Sequence, residues 1–463
     1  MTSRDALLRH PLAIAGAALT TAAAAVFIAL VIAELTGWLE NPYAGLIVFV
    51  LVPAVFVLGL LLIPLGMRLQ RRKLAAGDTV EWPIVDFRLA SVRRATLLVT
   101  ALTAVNIVIL LVAGYGSLHW MESPSFCGQA CHTPMHPQFS AWQQASHARI
   151  ACVQCHIGEG AGGFVHAKLN GTRQLAHVIT GTFPRPVPPG AEMPPGAQAK
   201  TCLSCHQPQR VTGDRVRAFY EYAEDEQNTE TRTLMRMHAG AGSASGHAIH
   251  WHADPAVRIE YIYIATDAGG QTIPYVKLTD AKGQVKEFFA EGTTEQAING
   301  LARRTMDCVD CHNTVGHPIF AAAEKAVDSA IAAGEVSRKL PFARRESVRL
   351  LKTSYSDEST AVAEIERGLR AFYQSQGGSD PQEIARTVTS LQSLYRRNVF
   401  PTMKVTWGSY PRNIGHPDSG GCLRCHDDTH KAKDGSTISG DCEYCHREIE
   451  VPPVTPTAPL PPK

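Results

Sequence analysis

Three long stretches near the start of the chain consist of uncharged, mostly apolar residues. They cover residues 11–33, 41–67 and 95–118. Each exceeds the roughly 20 apolar residues that a helix needs to cross a bilayer. The pattern therefore predicts three transmembrane helices. Two alternatives stay open: a buried core helix, or cleavage of the first stretch as a signal peptide, which would leave two spans.

The charges between these stretches predict their orientation. Seven Lys and Arg residues lie between the second and third stretches and none between the first and second, while Arg4 and Arg9 precede the first. Positively charged loops stay in the cytoplasm. We therefore expect the N-terminus inside and everything beyond about residue 118 outside, which in a bacterium is the periplasm beside the inner membrane.

The remaining pattern predicts a mixture of small elements. The stretch "VRIEYIYIATDAGGQTIPYVKLTDAKGQVKEFF" alternates apolar and polar residues and breaks at Gly269, Gly270 and Gly283, which predicts a small antiparallel meander. Residues 320–340 and 357–399 have helical spacing and predict two or three helices. A break is expected at Gly377 and a restart at Pro381.

All twelve cysteines fall into six pairs, and a histidine follows each pair directly. His makes up 19 of 463 residues, so six such steps by chance have a probability on the order of 10⁻⁹. Cys-x-x-Cys-His is the attachment motif of haem c, in which the thiols bond to the vinyl groups and His binds the iron from one side. The chain therefore predicts six covalent haems c.

The motifs are numbered one to six along the chain. Their cysteines are Cys127 and Cys131, Cys152 and Cys155, Cys202 and Cys205, Cys308 and Cys311, Cys422 and Cys425, and Cys442 and Cys445. The predicted proximal ligands are His132, His156, His206, His312, His426 and His446. Motif one has three residues between its cysteines instead of two, and a disulfide without haem is the alternative for that pair.

A second axial ligand is needed on each iron, and neutral imidazole suits it. Spare histidines near the motifs are His147, His166, His177, His317, His416 and His430, and "HAIHWH" adds His247, His250 and His252. From these the candidate axial ligands are His147, His177, His252, His317, His416 and His430. Met135 is a further candidate, because a thioether raises the haem potential; ordinary packing is the alternative.

Composition and charge narrow the function. Hydrophobic residues make up 45% of the chain and charged residues 19%, which fits a membrane segment. Six haems, each with two ionised propionates, would change the formal net charge of +2 to about −10. No basic stripe interleaved with aromatics indicates nucleic acid, and no phosphate loop or nucleophile–base pattern is present.

We expect a mainly α fold: transmembrane helices, then a periplasmic multihaem domain with little regular structure and a small antiparallel β insert. The predicted divisions are a membrane anchor at 1–118, a three-haem domain at 119–210, the β insert at 211–306, a second three-haem domain with helices at 307–450, and a disordered Pro-rich tail at 451–463.

The stretches "CHTPM", "SHARIACVQCH" and "KLNGTRQLAHVITGT" resemble the NapC/NirT family of membrane-anchored quinol dehydrogenases. Together with "FPTMKVTWGSYPRNIGHPDSGGCLRCHDDTH" and the three spans, the whole is most similar to the larger ImcH-type inner-membrane cytochromes. The resemblance implies that Met135 lies near the membrane-proximal iron, that His177 is a distal ligand and that Lys168 contacts quinol. The chain departs from the family in the wider motif one and in lacking the acidic partner of that lysine; the nearest polar residues are Asn170 and Gln174. It also has one haem motif fewer than the large relatives.

Three functions remain open at this point. In the first, the protein oxidises quinol of the menaquinol pool and passes electrons to periplasmic c-type cytochromes or reductases in anaerobic or extracellular respiration. In the second, it is an electron-relay subunit of a membrane complex with no quinol site of its own. In the third, it is a reductase with one open iron. Lys168 has an alternative role as a salt-bridge partner of the propionates.

Overall fold

A computed structural model describes most of the chain. The described residues are 11–35, 51–75, 87–130, 132–157, 160–188, 201–207, 210, 213–241, 248–264, 270–416 and 419–449. Cys131, His247, residues 41–50 of the second predicted span and the predicted disordered tail lie outside them. The chain divides into two compact units, one of Met1–Met135 with Ala151–Val153 and one of His136–Ile150 with Gln154–Lys463.

The first unit is built on three long helices. They are α1 (Pro11–Leu35), α2 (Val52–Ala75) and α3 (Ala90–Met121). Each contains a stretch long and apolar enough to cross a membrane, at Pro11–Leu30, Val52–Gln70 and Ala104–Met121. The predicted number of candidate spans is confirmed, and α3 begins earlier and ends later than the uncharged stretch 95–118.

Small residues let α1 and α2 pack closely. A Cβ on Gly16 would lie 2.7 Å from the carbonyl oxygen of Gly59, and one on Gly66 would lie 2.5 Å from the backbone nitrogen of Ala13. Thr20 donates its hydroxyl to the Gly16 carbonyl at 2.8 Å within α1. Without Cβ atoms the two backbones can touch, which is how many helices associate in lipid.

Short elements carry the first two motifs. A π-helical turn at Phe126–Ala130 holds Cys127, and α4 spans His132–Trp142. The second motif forms α5 (Cys152–His156), and α6 follows at Gly160–Thr180. Cysteine pair and histidine thus lie on a single helical turn in motif two, which directs the thiols and the imidazole toward the same side.

Within the described residues, eight strands form two antiparallel sheets. They are β1 (Arg215–Tyr222), β2 (Glu230–Met237), β3 (Arg258–Ile262), β4 (Tyr275–Thr279), β5 (Val285–Phe289), β6 (Arg304–Thr305), β7 (Lys431–Ala432) and β8 (His446–Ile449). The five-stranded sheet has the order β6-β3-β4-β5-β7, so the predicted meander is confirmed as β3–β5. The other sheet, β1-β2-β8, was not predicted, because its third strand comes from motif six near the end of the chain.

Two short helices, α7 (Glu295–Ile298) and α8 (Cys308–Cys311), precede the helices that supply the main apolar core of the second unit. Those core helices are α9 (Ala323–Ala332), α10 (Ala343–Lys352), α11 (Glu358–Ser375) and α12 (Pro381–Asn398). Ile365 and Leu369 of α11 and Leu391 of α12 are fully buried in this core. The predicted break is confirmed, since Gly377 has a φ of 88° and the Asp380 side chain caps α12. The fold is mainly helical, as expected, with more regular structure than was predicted.

Candidate haem-binding sites

Five of the six predicted proximal histidines face a second histidine across a similar distance. The ring centroids are 6.0 Å apart for His147 and His206, 6.1 Å for His156 and His317, 6.3 Å for His250 and His312, 5.9 Å for His252 and His426, and 5.9 Å for His416 and His446. All ten residues belong to the second unit. The sixth, His132, is the first residue of α4, and only its backbone is described.

This spacing fits an iron held between two imidazoles. A metal–imidazole bond is about 2.0 Å long and the ring centre lies about 1.2 Å behind the nitrogen, so two axial rings have centroids about 6.4 Å apart. The five pairs cluster within 0.5 Å of that value. Within the described residues no group of three or more His, Cys, Asp or Glu could hold a bare metal ion. Histidine pairs in which one histidine directly follows two cysteines suit haem better than zinc.

Backbone carbonyls orient several of these rings. The Nδ1 atoms of His317, His252 and His426 lie 2.9, 2.8 and 2.8 Å from the carbonyl oxygens of Gln138, Ile249 and Ser439, and that of His250 lies 2.5 Å from the Ala239 oxygen. A carbonyl accepts only, so Nδ1 carries the proton and donates. The free Nε2 lone pair is then available to an iron, as is usual for ligating histidines.

Burial keeps the rings neutral. Desolvation lowers the pKa of His252, His312 and His317 below the ordinary value for histidine. The facing ring adds to this effect at His312, because His250 further lowers the pKa of His312. Only neutral imidazole binds iron, so the environment favours the ligating form before any metal is present.

One short turn serves two motifs. The 3-10 turn Ile249–Ala253 directs His250 toward His312 of motif four and His252 toward His426 of motif five. Motifs four and five are therefore neighbours in space. The sequence pattern predicts His252 as an axial ligand and includes His250 only among the neighbouring histidines. The sequence signal for both is their spacing of two residues, which lets one short turn present two rings.

A second loop also serves two motifs. His312 ends α8, and His317 follows five residues later to face His156 of motif two. His317 closes a tight turn, its backbone nitrogen donating to Thr314 at 3.2 Å. Motif four therefore supplies its own proximal histidine and the partner ring of motif two.

Cysteine contacts bring further motifs together. The Cys127 thiol donates a hydrogen bond to Cys152 and lowers the pKa of Cys152 to about 7. In the same way Cys308 donates to Cys202 and lowers the pKa of Cys202 to about 7. Both contacts join consecutive motifs, the first with the second and the third with the fourth. Because these cysteines are in contact, the haems attached to neighbouring motifs would lie close to each other.

The last three motifs also adjoin. Burial raises the pKa of Cys311 to about 11, and nearby Cys422 adds to the rise. Burial also raises the pKa of Cys445, where Cys422 again contributes. Cys422 of motif five thus lies near both motif four and motif six. Cys155, Cys205 and Cys442 are exposed, as expected for thiols that meet a bound group and not the protein interior.

Other candidate residues lie in varied surroundings. Met135 is half-buried on α4 and Lys168 is half-buried on α6. His177, also on α6, is exposed and has Nδ1 2.8 Å from the Thr182 hydroxyl. His430 is 2% exposed.

His430 does not have the geometry of an axial ligand. Its Nδ1 lies 2.9 Å from Asp427 Oδ1 and its Nε2 lies 2.8 Å from the Ile273 carbonyl oxygen. Both ring nitrogens are engaged, so neither is available to an iron. The arrangement favours a structural role that ties the loop after motif five to the strand region before β4, in place of the predicted axial role.

One orphaned polar atom further fits a bound haem. Among the described residues, Arg412 Nε is buried without a hydrogen-bond partner. The Arg412 charge helps lower the pKa of His312, so its guanidinium lies near motif four. A propionate of haem is the kind of partner that such a guanidinium needs.

Thiol pairs, facing histidines and three apolar helices together define a membrane-anchored multihaem c-type cytochrome. A family model for the NapC/NirT cytochrome c family, N-terminal region, matches residues 90–186. The chain is 35% identical over 453 residues to cytochrome c-type protein ImcH of Geobacter sulfurreducens, covering 96% of this chain and 88% of that protein. The chain therefore belongs to the NapC/NirT cytochrome c family and is an ImcH-like member of it.

Two shorter relatives each match a smaller part of the chain. The chain is 28% identical to cytochrome c-type protein Cgr1 of Eggerthella lenta, over 35% of this chain and 57% of that protein. It is also 28% identical to cytochrome c-type protein NrfH of Wolinella succinogenes, over 24% of this chain and 62% of that protein. No solved structure matches the chain.

Proposed function

We propose that the protein is an inner-membrane hexahaem quinol dehydrogenase that oxidises menaquinol and passes the electrons to periplasmic cytochromes or reductases. The observation that carries the proposal is the set of five facing histidine pairs. In each pair a second imidazole faces the predicted proximal histidine. An iron bound between the two rings would have both axial positions filled and no open position for a small substrate. Closed irons are suited to electron transfer, and this argues against a reductase.

The proposed ligand set follows these pairs. Motifs two to six have His156 with His317, His206 with His147, His312 with His250, His426 with His252, and His446 with His416. In motif one, His132 and Met135 are the candidate ligands. His177 stays a candidate from the family resemblance.

Haem c supplies one-electron transfer when bound. The chain's own contribution is to hold the attachment points close enough for successive transfers. Thiol contacts join motif one to two and three to four, and Cys422 of motif five lies near motifs four and six. Cys442 of motif six is exposed, so that motif is the proposed point of departure toward a periplasmic acceptor.

The membrane end of this chain of sites lies at motif one. Helix α3 ends at Met121 and the π-helical turn with Cys127 begins at Phe126. Trp120 packs its edge against the Phe126 ring with centroids 4.8 Å apart. Because Cys127 follows an apolar helix end so closely, its haem would sit at the lipid surface, where a hydrophobic quinol can reach it.

Helix α6 has the features expected beside a quinol. Val165, Leu169 and Ile179 are exposed by 54%, 69% and 77%, and their spacing puts them on one side of the helix. Lys168 lies at the border of this apolar stripe. Its ammonium group can donate to a quinol oxygen and stabilise negative charge there as protons leave. This supports Lys168 as the quinol contact.

Orientation rests on the basic loop between the second and third spans. Its seven Lys and Arg residues favour a cytoplasmic location, which would bring the chain after α3 into the periplasm.

The deciding experiment mixes the purified, fully oxidised protein with a water-soluble menaquinol analogue and follows haem reduction optically. Wild type should be reduced, and Lys168→Gln should be slower by about tenfold or more, the loss of one charged hydrogen bond. Lys282→Gln, in the turn between β4 and β5, is the matched control and should behave as wild type. No reduction of wild type would favour the relay-subunit function. Equal rates for wild type and Lys168→Gln would leave quinol oxidation intact and remove Lys168 from it.

A further inference from the structure

The haem-attachment loops of motifs four and five are joined by a direct hydrogen bond. Asp310 precedes Cys311 in motif four, and Arg424 precedes Cys425 at the same position in motif five. The Arg424 Nη2 atom donates to the Asp310 carbonyl oxygen at 2.8 Å. Each loop thus uses the residue just before its second cysteine to hold the other loop.

Arg424 gives its other donors to carbonyl groups as well. Its Nε donates to Gly421 at 2.9 Å and its Nη1 to Gly270 at 3.2 Å. Across the part of the chain that the structure describes, no carboxylate forms an ion pair with it. Three backbone acceptors fix the guanidinium plane without cancelling its charge.

The neighbouring carboxylate is neutralised by a different arginine. Asp310 is 6% exposed, and its Oδ1 lies 3.1 Å from Arg304 Nε and accepts the Tyr261 hydroxyl at 2.7 Å. Its Oδ2 accepts the backbone N–H of Asp307 at 2.6 Å. Since Arg304 compensates Asp310, the positive charge of Arg424 acts on its other surroundings.

Those surroundings are the attachment points of both motifs. Arg424 is bonded along the chain to Cys425, and its Nη2 atom contacts the carbonyl group of Asp310, which is bonded to Cys311. One guanidinium therefore lies beside both attachment points.

Two more contacts keep the loops at a fixed separation. Asn413 Nδ2 donates to the same Asp310 carbonyl at 3.1 Å, and the Asn413 backbone N–H donates to Asn313 Oδ1 at 3.0 Å. From the other side, the turn with His250 and His252 faces both motifs. The loops are thus tied on two sides and cannot separate without breaking several buried hydrogen bonds.

We infer that Arg424 is a positioning residue that locks haem sites four and five into one unit and whose charge raises the reduction potential of both. The inference rests on the proposed haem ligation. Reduction adds one negative charge to each site, and a fixed positive charge in a poorly solvated interior favours that addition. The pair would therefore retain electrons arriving from earlier sites and release them together toward motif six.

The test is an EPR-monitored redox titration of the six-haem protein, with dithionite as reductant and no quinol present. In Arg424→Gln two of the low-spin ferric signals should persist to lower potential, with the oxidised-to-reduced ratio at the wild-type midpoint raised about threefold, or about 28 mV at 59 mV per tenfold. Arg424→Lys keeps the charge and should change the ratio less than twofold. Arg367→Gln removes an exposed arginine on α11 that pairs with Glu364 and should match wild type.

Three outcomes would overturn the inference. One is a titration of Arg424→Gln that superimposes on wild type. Another is an equal shift in the Gln and Lys variants, since charge would not be the cause. If Arg424→Gln does not accumulate with full haem content by mass, Arg424→Lys decides alone, and a shift beyond threefold would count against the role of charge. Because no quinol enters this titration, a failed quinol assay leaves its result unaffected.

Discussion

The imidazole rings of His250 and His312 lie almost parallel, with planes 1° apart and centroids separated by 6.3 Å. Next to them, His252 and His426 are nearly perpendicular at 81°. The angle between two axial imidazole planes sets the splitting of the iron d orbitals in a ferric haem. Parallel planes give a rhombic low-spin EPR spectrum and perpendicular planes give a strongly axial one with a large maximum g value. Sites four and five are therefore distinguishable by spectroscopy.

Replacing His250 by Ala should remove the rhombic signal of one haem in six and leave the strongly axial signal of its neighbour. The physical reason is that the fourth iron loses its sixth ligand and becomes high-spin or takes up water. EPR of the oxidised protein measures both signals in one sample. Loss of the axial signal instead would mean that the two histidines of the shared turn are assigned to the wrong motifs.

His430→Ala serves as the contrasting substitution, with an effect on stability and none on the haem spectra. It removes hydrogen bonds to Asp427 and to the Ile273 carbonyl at a site that is 2% exposed. We expect a loss of about 1–3 kcal/mol in the free energy of unfolding. Denaturant titration followed by tryptophan fluorescence measures this. A spectrum that loses one low-spin haem would return His430 to the set of axial ligands.

Intact-mass measurement of the mature protein should give six haem additions, because all twelve cysteines belong to Cys-Cys-His units. Cys202→Ser and His206→Ala together should give five. Motif one, with its wider cysteine spacing, is the motif whose haem attachment most needs a separate test. A wild-type value of five that is unchanged by Cys127→Ser would mean that motif one carries no haem, and four or fewer would contradict the hexahaem assignment.

Compartment-sensitive reporters should give opposite signals when fused at residue 80 and after residue 449. The expected cytoplasmic location of the first and periplasmic location of the second follow from the seven basic residues between the second and third spans. A reporter in the short loop near Glu40 is the control and should match the C-terminal one. The same signal at residue 80 and at the C-terminus would contradict three spans.

Gly66→Ala should destabilise the packing of α1 against α2, whereas Gly114→Ala in α3 should be neutral. A Cβ at residue 66 would lie 2.5 Å from the Ala13 nitrogen, while nothing lies within 4 Å of one at residue 114. We expect a loss of about 1–3 kcal/mol for the first substitution and a lower midpoint of thermal unfolding in detergent. Equal midpoints for the two variants would show that α1 and α2 do not make this contact.

Much of the local structure could be predicted from the sequence because its signals are local. Gly283 marks the turn between β4 and β5, and Pro381 marks the start of α12, each within a few residues of the element it defines. The pairing of β2 with β8 could not be predicted. It joins Met237 to His446 across more than two hundred residues, and nothing in either strand specifies the other.

The residues of the candidate site also divide into those that a local motif identifies and those that depend on long-range contacts. Cysteines and proximal histidines are read from one short motif, whereas partner rings depend on long-range folding. His250 and His430 illustrate this, since both are spare histidines in polar loops. One faces His312, and the other has both nitrogens in hydrogen bonds with Asp427 and Ile273. Sequence proximity to a motif favoured His430, and only the tertiary contacts separate the two.

The order of the paired histidines along the chain has a consequence for biogenesis. In the proposed topology, a chain exported from its N-terminus would deliver His147, His250, His252 and His416 to the periplasm before the motifs they face. His156 is different, because its partner His317 arrives only after motif four. Maturation of the second site would therefore wait for most of the protein to be translocated, while the third could be completed early. Nascent chains stalled near residue 300 would then contain one iron, that of motif two, without its proposed sixth ligand.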